Sequence, residues 1–471
     1  MREMRTFRRT KIVATLGPAT DAPGVLRAIL RAGADVVRVN ASHGTPEEHR
    51  ARIRAVRKME KELGRPIPIL FDLSGPKIRT GLLPGGTREL SAGERIVLAP
   101  ERSARGGEIP VSYDGLARDV SRGNRILVDD GLFEWVVERV SGARVTCRVR
   151  VGGLLKDHKG LNFPGVRLSV EALTVKDRRD IRFLARAGVD WVAQSFVRSA
   201  EDVRKLKGLL RRAGVRLPVI AKIEKPEALD HIAEILRVAD GVMVARGDLG
   251  VEIPPQQVPE IQKQLIRLAN EAELPVITAT QMLESMVEHP RPTRAEASDV
   301  ANAIFDGSDA VMLSGETASG RYPVESVAMM ASIACRAEAS EFARPFACSS
   351  GDRSVAHAVA LAACETASDV EASAVLCFTE SGRTALLLSK YLRHCPLYAM
   401  SRRIEVCRRA TLYPGVTGVL IAMPRNTDRM IADAEKALSK RGLVKSGDRV
   451  VVVCGTTRAL GATNLLKVDA I

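Results

Sequence analysis

Short runs of β-branched and aliphatic residues, each closing on a polar or glycine position, recur as far as Ser314. They alternate with stretches in which apolar positions return every three or four places, which predicts strands of a parallel α/β layer separated by helices. Eight such runs stand out, at residues 11–17, 35–40, 67–72, 190–196, 218–224, 241–246, 275–280 and 309–314. Eight strand–helix units predict a closed (β/α)8 TIM barrel, with its chemistry at the C-terminal ends of the strands.

One interval is too long for a crossover helix. Between Asp72 and about Val170 the pattern turns to alternating segments, such as 94–98, 125–129 and 135–150, punctuated by Gly85-Gly86, Gly106-Gly107 and Gly152-Gly153. That pattern predicts a small β domain inserted after the third barrel strand. Residues 344–353 read as a linker, after which apolar runs at 374–378, 397–400, 416–422 and 449–454 alternate with helical segments and predict an open α/β sheet. The expected division is a barrel from 1–74 and 171–343, an inserted β lid over 75–170, and a C-terminal α/β domain over 344–471.

Charge changes the picture only slightly. Lysine and arginine outnumber aspartate and glutamate by 71 to 56, a net +15 that raises the possibility of nucleic-acid binding. The basic residues are spread along helical segments (Arg50, Arg52, Arg54, Arg57; Arg204, Arg211, Arg212) and read as solvated faces; aromatics are only 4%. No RNA-binding signature occurs, so no nucleic-acid partner is expected, and the charge is left to favour small anionic substrates. No run of eighteen apolar residues and no apolar leader after Met1 are present, so a cytoplasmic protein without a membrane partner is expected. The eight cysteines form no C-x-x-C pair and read as buried free thiols.

The strand ends carry the candidate chemistry. Lys222 and Glu224 alternate on one face of the fifth strand, and Asp248 lies just past the sixth. Two carboxylates on adjacent strands suit a divalent ion that keeps water and substrate oxygens, and both Glu224 and Asp248 are expected to face a wet site rather than the core; an ion pair is the competing reading for either alone. Arg38, Asn40 and Ser42 share a face of the second strand, and Arg79 adds another fixed positive charge; arginine forks match phosphate or carboxylate oxygens. Thr280 closes the seventh strand with a hydroxyl able to orient water or a substrate oxygen. Thr293-Arg-Ala-Glu296 reads as a capping box. His43 has no zinc-ligand spacing and reads as a surface or helix-start residue. Residues Thr379, Glu380, Ser381, Gly382, Arg383 and Thr384 follow an apolar strand and open a helix, a place where free N–H groups can hold a phosphate.

An ordered set of segments resembles pyruvate kinase: DVVRVNASHG at 35–44, DLSGPKIRTG at 72–81, KGLNFPG at 159–165, AKIE at 221–224, MVARGDLG at 243–250, ITATQMLESM at 277–286, PRPTRAEASDVANAIFDG at 290–307 and MLSGET at 312–317. The resemblance implies transfer of the phosphoryl group of phosphoenolpyruvate to ADP, with Mg2+ or Mn2+ on Glu224 and Asp248. It further implies Lys222 as the cation at the transferring phosphoryl and enolate oxygen, Arg38 and Arg79 on phosphates, Gly247 and Asp248 offering backbone N–H to the substrate carboxylate, and Thr280 serving enolate protonation. Arg79, Lys159 and His43 form the implied nucleotide set. The 379–384 loop becomes the expected site of a phosphorylated effector, and a homotetramer is the implied assembly. Potassium-requiring members read D-T-K-G-P-E in the third-strand motif, where Asp and Thr join the positions of Asn40 and Ser42 around the ion. Here Asp72 is followed by Leu73 and the motif ends in Lys77. The expectation is that Lys77 supplies the positive charge and K+ is not required.

Two other readings compete with this one: an aldolase or lyase on a related barrel, and a non-catalytic paralogue that only binds an effector. The inserted domain and Lys159 weigh against the first, and intact Lys222, Glu224, Asp248 and Thr280 against the second.

Overall fold

The computed structural model of the chain describes residues 7–343, 354–422, 426–455 and 463–471. Residues 1–6, the expected 344–353 linker and Cys348 lie outside them.

The barrel strands are β1 (Lys11–Leu16), β2 (Val36–Asn40) and β3 (Ile69–Asp72), then, past the eight strands of the insert, β12 (Trp191–Gln194), β13 (Val219–Ile223), β14 (Gly241–Ala245), β15 (Val276–Ala279) and β16 (Ala310–Leu313). They close into a barrel in sequence order, every pair parallel, with β16 returning to β1. Nearly every strand residue is buried, because helices cover the outside and side chains fill the inside; a continuous apolar run is what that position demands. Local signals set the helix ends. Capping boxes start the helices Pro46–Leu63 (Thr45, Glu48), Val175–Ala187 (Thr174, Asp177) and Arg294–Phe305 (Thr293, Glu296), the last as expected.

The insert holds β4 (Thr87–Leu90), β5 (Arg95–Pro100), β6 (Ile109–Val111), β7 (Arg125–Val128), β8 (Phe133–Ser141), β9 (Arg144–Val151), β10 (Gly153–Lys156) and β11 (Leu161–Asn162). Six of these form a sheet in the order β11-β7-β8-β9-β5-β6, while β4 and β10 pair separately. The stretch 135–150, read from the sequence as one segment, belongs to two strands that turn at Gly142. Trp135 anchors this core.

The C-terminal sheet runs β19 (Val416–Leu420), β18 (Leu397–Ser401), β17 (Ala374–Phe378), β20 (Arg449–Gly455) and β21 (Thr463–Ala470). The antiparallel edge strand β21 escaped the sequence reading because only Thr463 of its residues is buried, and the exposed Asn464 and Lys467 interrupt its apolar run. This layer packs under the N-terminal ends of the barrel strands. The barrel interior continues into its core through Trp191, whose ring meets Tyr413 edge-on at 6.3 Å. Charged contacts line the same seam: Lys11 Nζ donates to Val416 O (2.8 Å), Arg408 pairs with Glu60 (2.6 Å) and Lys390 with Asp309 (2.5 Å).

Two expectations about side chains change. Arg52 and Arg57 are not a solvated basic face: Arg52 grips Asp21 at 2.6 Å and Arg57 reaches Asp190 at 2.5 Å. Six of the seven described cysteines are buried thiols as expected, but Cys335 is only half-buried.

Candidate active site

A belt of alternating charge crosses the C-terminal mouth of the barrel. Lys222, on β13, places Nζ 2.7 Å from Glu224 Oε1 and 3.3 Å from Asp72 Oδ2, and donates to Ser195 Oγ at 2.9 Å. Asp72 Oδ2 also accepts from Arg38 Nε at 2.7 Å, and Arg38 Nη1 reaches Thr15 Oγ1 at 3.1 Å. Arg38, Asp72, Lys222 and Glu224 are all buried. Burial opposes the Lys222 charge, but Asp72 and Glu224 outweigh it and hold the ammonium above its ordinary value. Burial likewise pushes Asp72 upward, and Lys222 and Arg38 reverse it, so Asp72 stays a carboxylate. For Glu224 burial wins: its carboxyl is raised, Lys222 offsets part of the rise, and Asp248 adds to it. Glu224 also accepts the Phe196 N–H at 2.7 Å.

The expectation that Glu224 faces a wet site is therefore corrected. Its side chain is 1% exposed, and Asp248, at 26%, is the member open to the cleft. Asp248 sits in the first turn of the helix Arg246–Glu252, with Lys77 Nζ 3.6 Å from its Oδ1. Gly247 N–H is also not free as expected: it donates to Thr280 Oγ1 at 2.7 Å. His43, Lys77, Asp130, Gly247, Asp248 and Thr280 share a cleft of about 1290 Å³, wide enough for two small anionic substrates. Burial, then Arg79, Lys77 and Arg38, lower the pKa of His43, which marks this edge as electropositive.

The family model of the pyruvate kinase barrel domain matches residues 7–327, and that of the pyruvate kinase alpha/beta domain matches residues 357–469. Pyruvate kinase 2 of Synechocystis sp. is 46% identical over 470 residues, 98% of this chain and 79% of that protein. The pyruvate kinase of Staphylococcus aureus strain USA300 is 42% identical over 475 residues, covering 99% and 81%. The chain belongs to the pyruvate kinase family.

It is accordingly a pyruvate kinase enzyme, of a family that acts on phosphoenolpyruvate and ADP. Members of this family use a divalent metal. Among the described residues no cluster of three or more His, Cys, Asp or Glu donors forms. The carboxylates of Glu224 and Asp248 fit instead a hard cation that retains water and takes its remaining oxygens from substrate. Among the described residues no helix is long and apolar enough to cross a membrane.

Other expected residues are placed unevenly around this pyruvate kinase site. Asn40 Oδ1 is turned to its own loop, accepting the Ser42 N–H at 3.0 Å, and Leu73 is buried with its N–H on Ala193 O. Arg79 Nη1 donates to His158 O at 3.0 Å, next to Lys159, whose Nζ pairs with Asp129 at 2.8 Å inside the insert. Gly75 joins insert to barrel at φ +63°, and a Cβ there would lie 2.6 Å from the Phe196 ring. Far below the mouth, the 379–384 loop is largely tied down. Thr379 Oγ1 accepts from Gly382 N at 2.9 Å, Thr384 bonds Thr463 at 2.7 Å, Glu380 pairs with Arg402 and Arg383 with Glu273, leaving Ser381 and Arg383 exposed. Sequence reasoning missed Thr15, Ser195 and Asp130. Ser195 was findable, since it directly follows the fourth barrel strand; nothing local to Asp129-Asp130-Gly131 shows that this turn reaches over the cleft.

Proposed function

We propose that the reaction runs with Mg2+ (or Mn2+) on Glu224 and Asp248, without K+, and under the control of a phosphorylated effector. The observation that carries the catalytic part is the buried Lys222, kept charged between Asp72 and Glu224. When bound, the divalent ion supplies charge neutralisation and a template for substrate oxygens. Arg38 and Lys222 hold the phosphoryl group of phosphoenolpyruvate, and Lys222 also stabilises the enolate oxygen as the group leaves. The helix Arg246–Glu252 turns its N-terminus to the substrate carboxylate, which requires the Gly247 N–H to exchange Thr280 Oγ1 for that ligand. Thr280 is the residue through which the enolate is protonated. Arg79, Lys159 and His43 take the nucleotide, and the insert carrying Lys159 closes on the glycine joint at Gly75 to exclude water.

Lys77 replaces the monovalent cation. Its ammonium lies 3.6 Å from Asp248, beside the metal pair, while Leu73 offers no oxygen and the Asn40 amide oxygen is already engaged. The loop 379–384 receives the phosphate of the effector at Ser381 and the helix start behind it, in a cytoplasmic homotetramer. ADP-dependent pyruvate formation from phosphoenolpyruvate, followed through a coupled dehydrogenase with and without a chelator, tests the core of this reading. Wild type is expected to turn over only with divalent metal, and Lys222→Met to be inactive; full activity of Lys222→Met would overturn it.

A further inference from the structure

We propose that Arg246 is a positioning residue for the protonation step, holding Thr280 in a backbone conformation that threonine does not adopt by itself. The proposal rests on the reading of Thr280 as the residue through which the enolate is protonated. Thr280 has φ +70° and Gln281 φ +54°. A β-branched residue in the left-handed region is strained, and such strain persists only where the surroundings over-determine it. Here one guanidinium holds both of the strained carbonyls. Arg246 Nη2 donates to Thr280 O at 2.9 Å and Gln281 O at 3.3 Å, and lies 2.7 Å from Met282 Sδ.

The guanidinium is itself pinned from behind. Nη1 donates to Asp299 Oδ1 at 2.7 Å and Gln262 Oε1 at 3.2 Å, on two different helices, and Gln262 is in turn held by Asp306 at 3.0 Å. The next residue along the chain completes the grip, since Gly247 N–H donates to Thr280 Oγ1. The Thr280 carbonyl is thus set from Arg246, and its hydroxyl lies between the Gly247 N–H it accepts and Ala279 O, to which it donates at 2.6 Å. Only a planar fork fits two successive carbonyls on one side and two acceptors on the other; a lysine ammonium reaches one side.

The step this serves balances simply. The C2–C3 electron pair of the enolate takes a proton at C3, the C2–O bond closes to the ketone, and the proton delivered through Thr280 is replaced from cleft water. A fixed hydroxyl delivers that proton to one face of C3. If the Thr280–Gln281 backbone relaxes, phosphoryl transfer continues but the enolate is protonated by water on either face.

The test uses phosphoenolpyruvate carrying one deuterium at C3, turned over in tritiated water, with the chirality of the resulting methyl group as readout. In the full-length enzyme Arg246→Lys, kcat is expected to fall ~10-fold or more while KM for phosphoenolpyruvate stays within about threefold. Its methyl group should become close to racemic, a change that general loss of packing would not produce. Should this variant not fold, Gln262→Met, which loosens the guanidinium but keeps it, carries the same readout with a partial loss of chirality. One-face protonation in the variant that folds overturns the proposal. Thr280→Val separates the two readings: if it still protonates one face, the role of Thr280 itself fails. If Thr280→Val is racemic and Arg246→Lys is not, the assignment of Arg246 alone fails.

Discussion

Replacing Lys77 by methionine removes a charge and leaves a side chain of similar length. Lys77 Nζ lies 3.6 Å from Asp248 Oδ1 and the side chain is 34% exposed, so water screens the interaction. A unit charge at that distance is worth ~1.2 kcal/mol at the dielectric constant of water and ~2.3 kcal/mol at half that value, which brackets a one-third-exposed site. Lost from the transition state, these energies correspond to roughly 7- to 50-fold in kcat/KM. The sign on the metal is opposite: Asp248, freed of its cationic neighbour, should bind Mg2+ more tightly. The assay measures kcat/KM for phosphoenolpyruvate in tetramethylammonium buffer, with and without KCl, at constant ionic strength to remove plain screening. Wild type should respond to KCl by less than about threefold, because the charge is already present. Lys77→Met should lose about tenfold, and Lys77→Glu more, with partial recovery in KCl. Activation of wild type by more than ~10-fold, or a Lys77→Met enzyme equal to wild type, would refute the reasoning.

Other consequences follow from the same geometry. Glu224→Gln keeps an acceptor for the Phe196 N–H and should lower metal-dependent turnover by at least ~10²-fold with little loss of Tm. Glu224→Ala should also destabilise by about 3 kcal/mol, since it leaves Lys222 short of a buried partner; unchanged melting of the alanine variant would contradict the burial argument. Lys11 is buried on Val416 O, and burial, against the opposing pull of Asp35, lowers its pKa from 10.5 to about 8. Below that value both folded and unfolded chains carry the proton and the burial cost is fully present. Between about 8 and 10.5 the folded chain sheds a proton the unfolded chain keeps, so stability should rise with pH by up to ~3 kcal/mol. Urea midpoints across that window should show the rise in wild type and not in Lys11→Met. Ser381→Asp should abolish the response of the phosphoenolpyruvate saturation curve to sugar phosphates or nucleoside monophosphates; an identical response in the variant counts against the loop.

Much of this molecule is legible in one dimension because its signals are local. Strands buried on both faces must be short apolar runs, so all eight barrel strands and four of the five C-terminal ones among the described residues lie where the pattern indicated. The capping box Thr293–Glu296 needs only four consecutive residues. Catalytic candidates were legible for a related reason: in a barrel, the residue after an apolar run is at the mouth, so Lys222, Glu224, Asp248 and Thr280 converge by topology. What stayed hidden depends on distance in space. The exposed face of β21 resembles a loop until β20 pairs with it, and Arg246 belongs to a motif without showing which carbonyls it reaches. Lys222 and Glu224 could be placed on one face from strand periodicity alone. That Glu224 is dry and Asp248 wet was decided by the tertiary structure, because solvent access depends on what other strands bring to the same point.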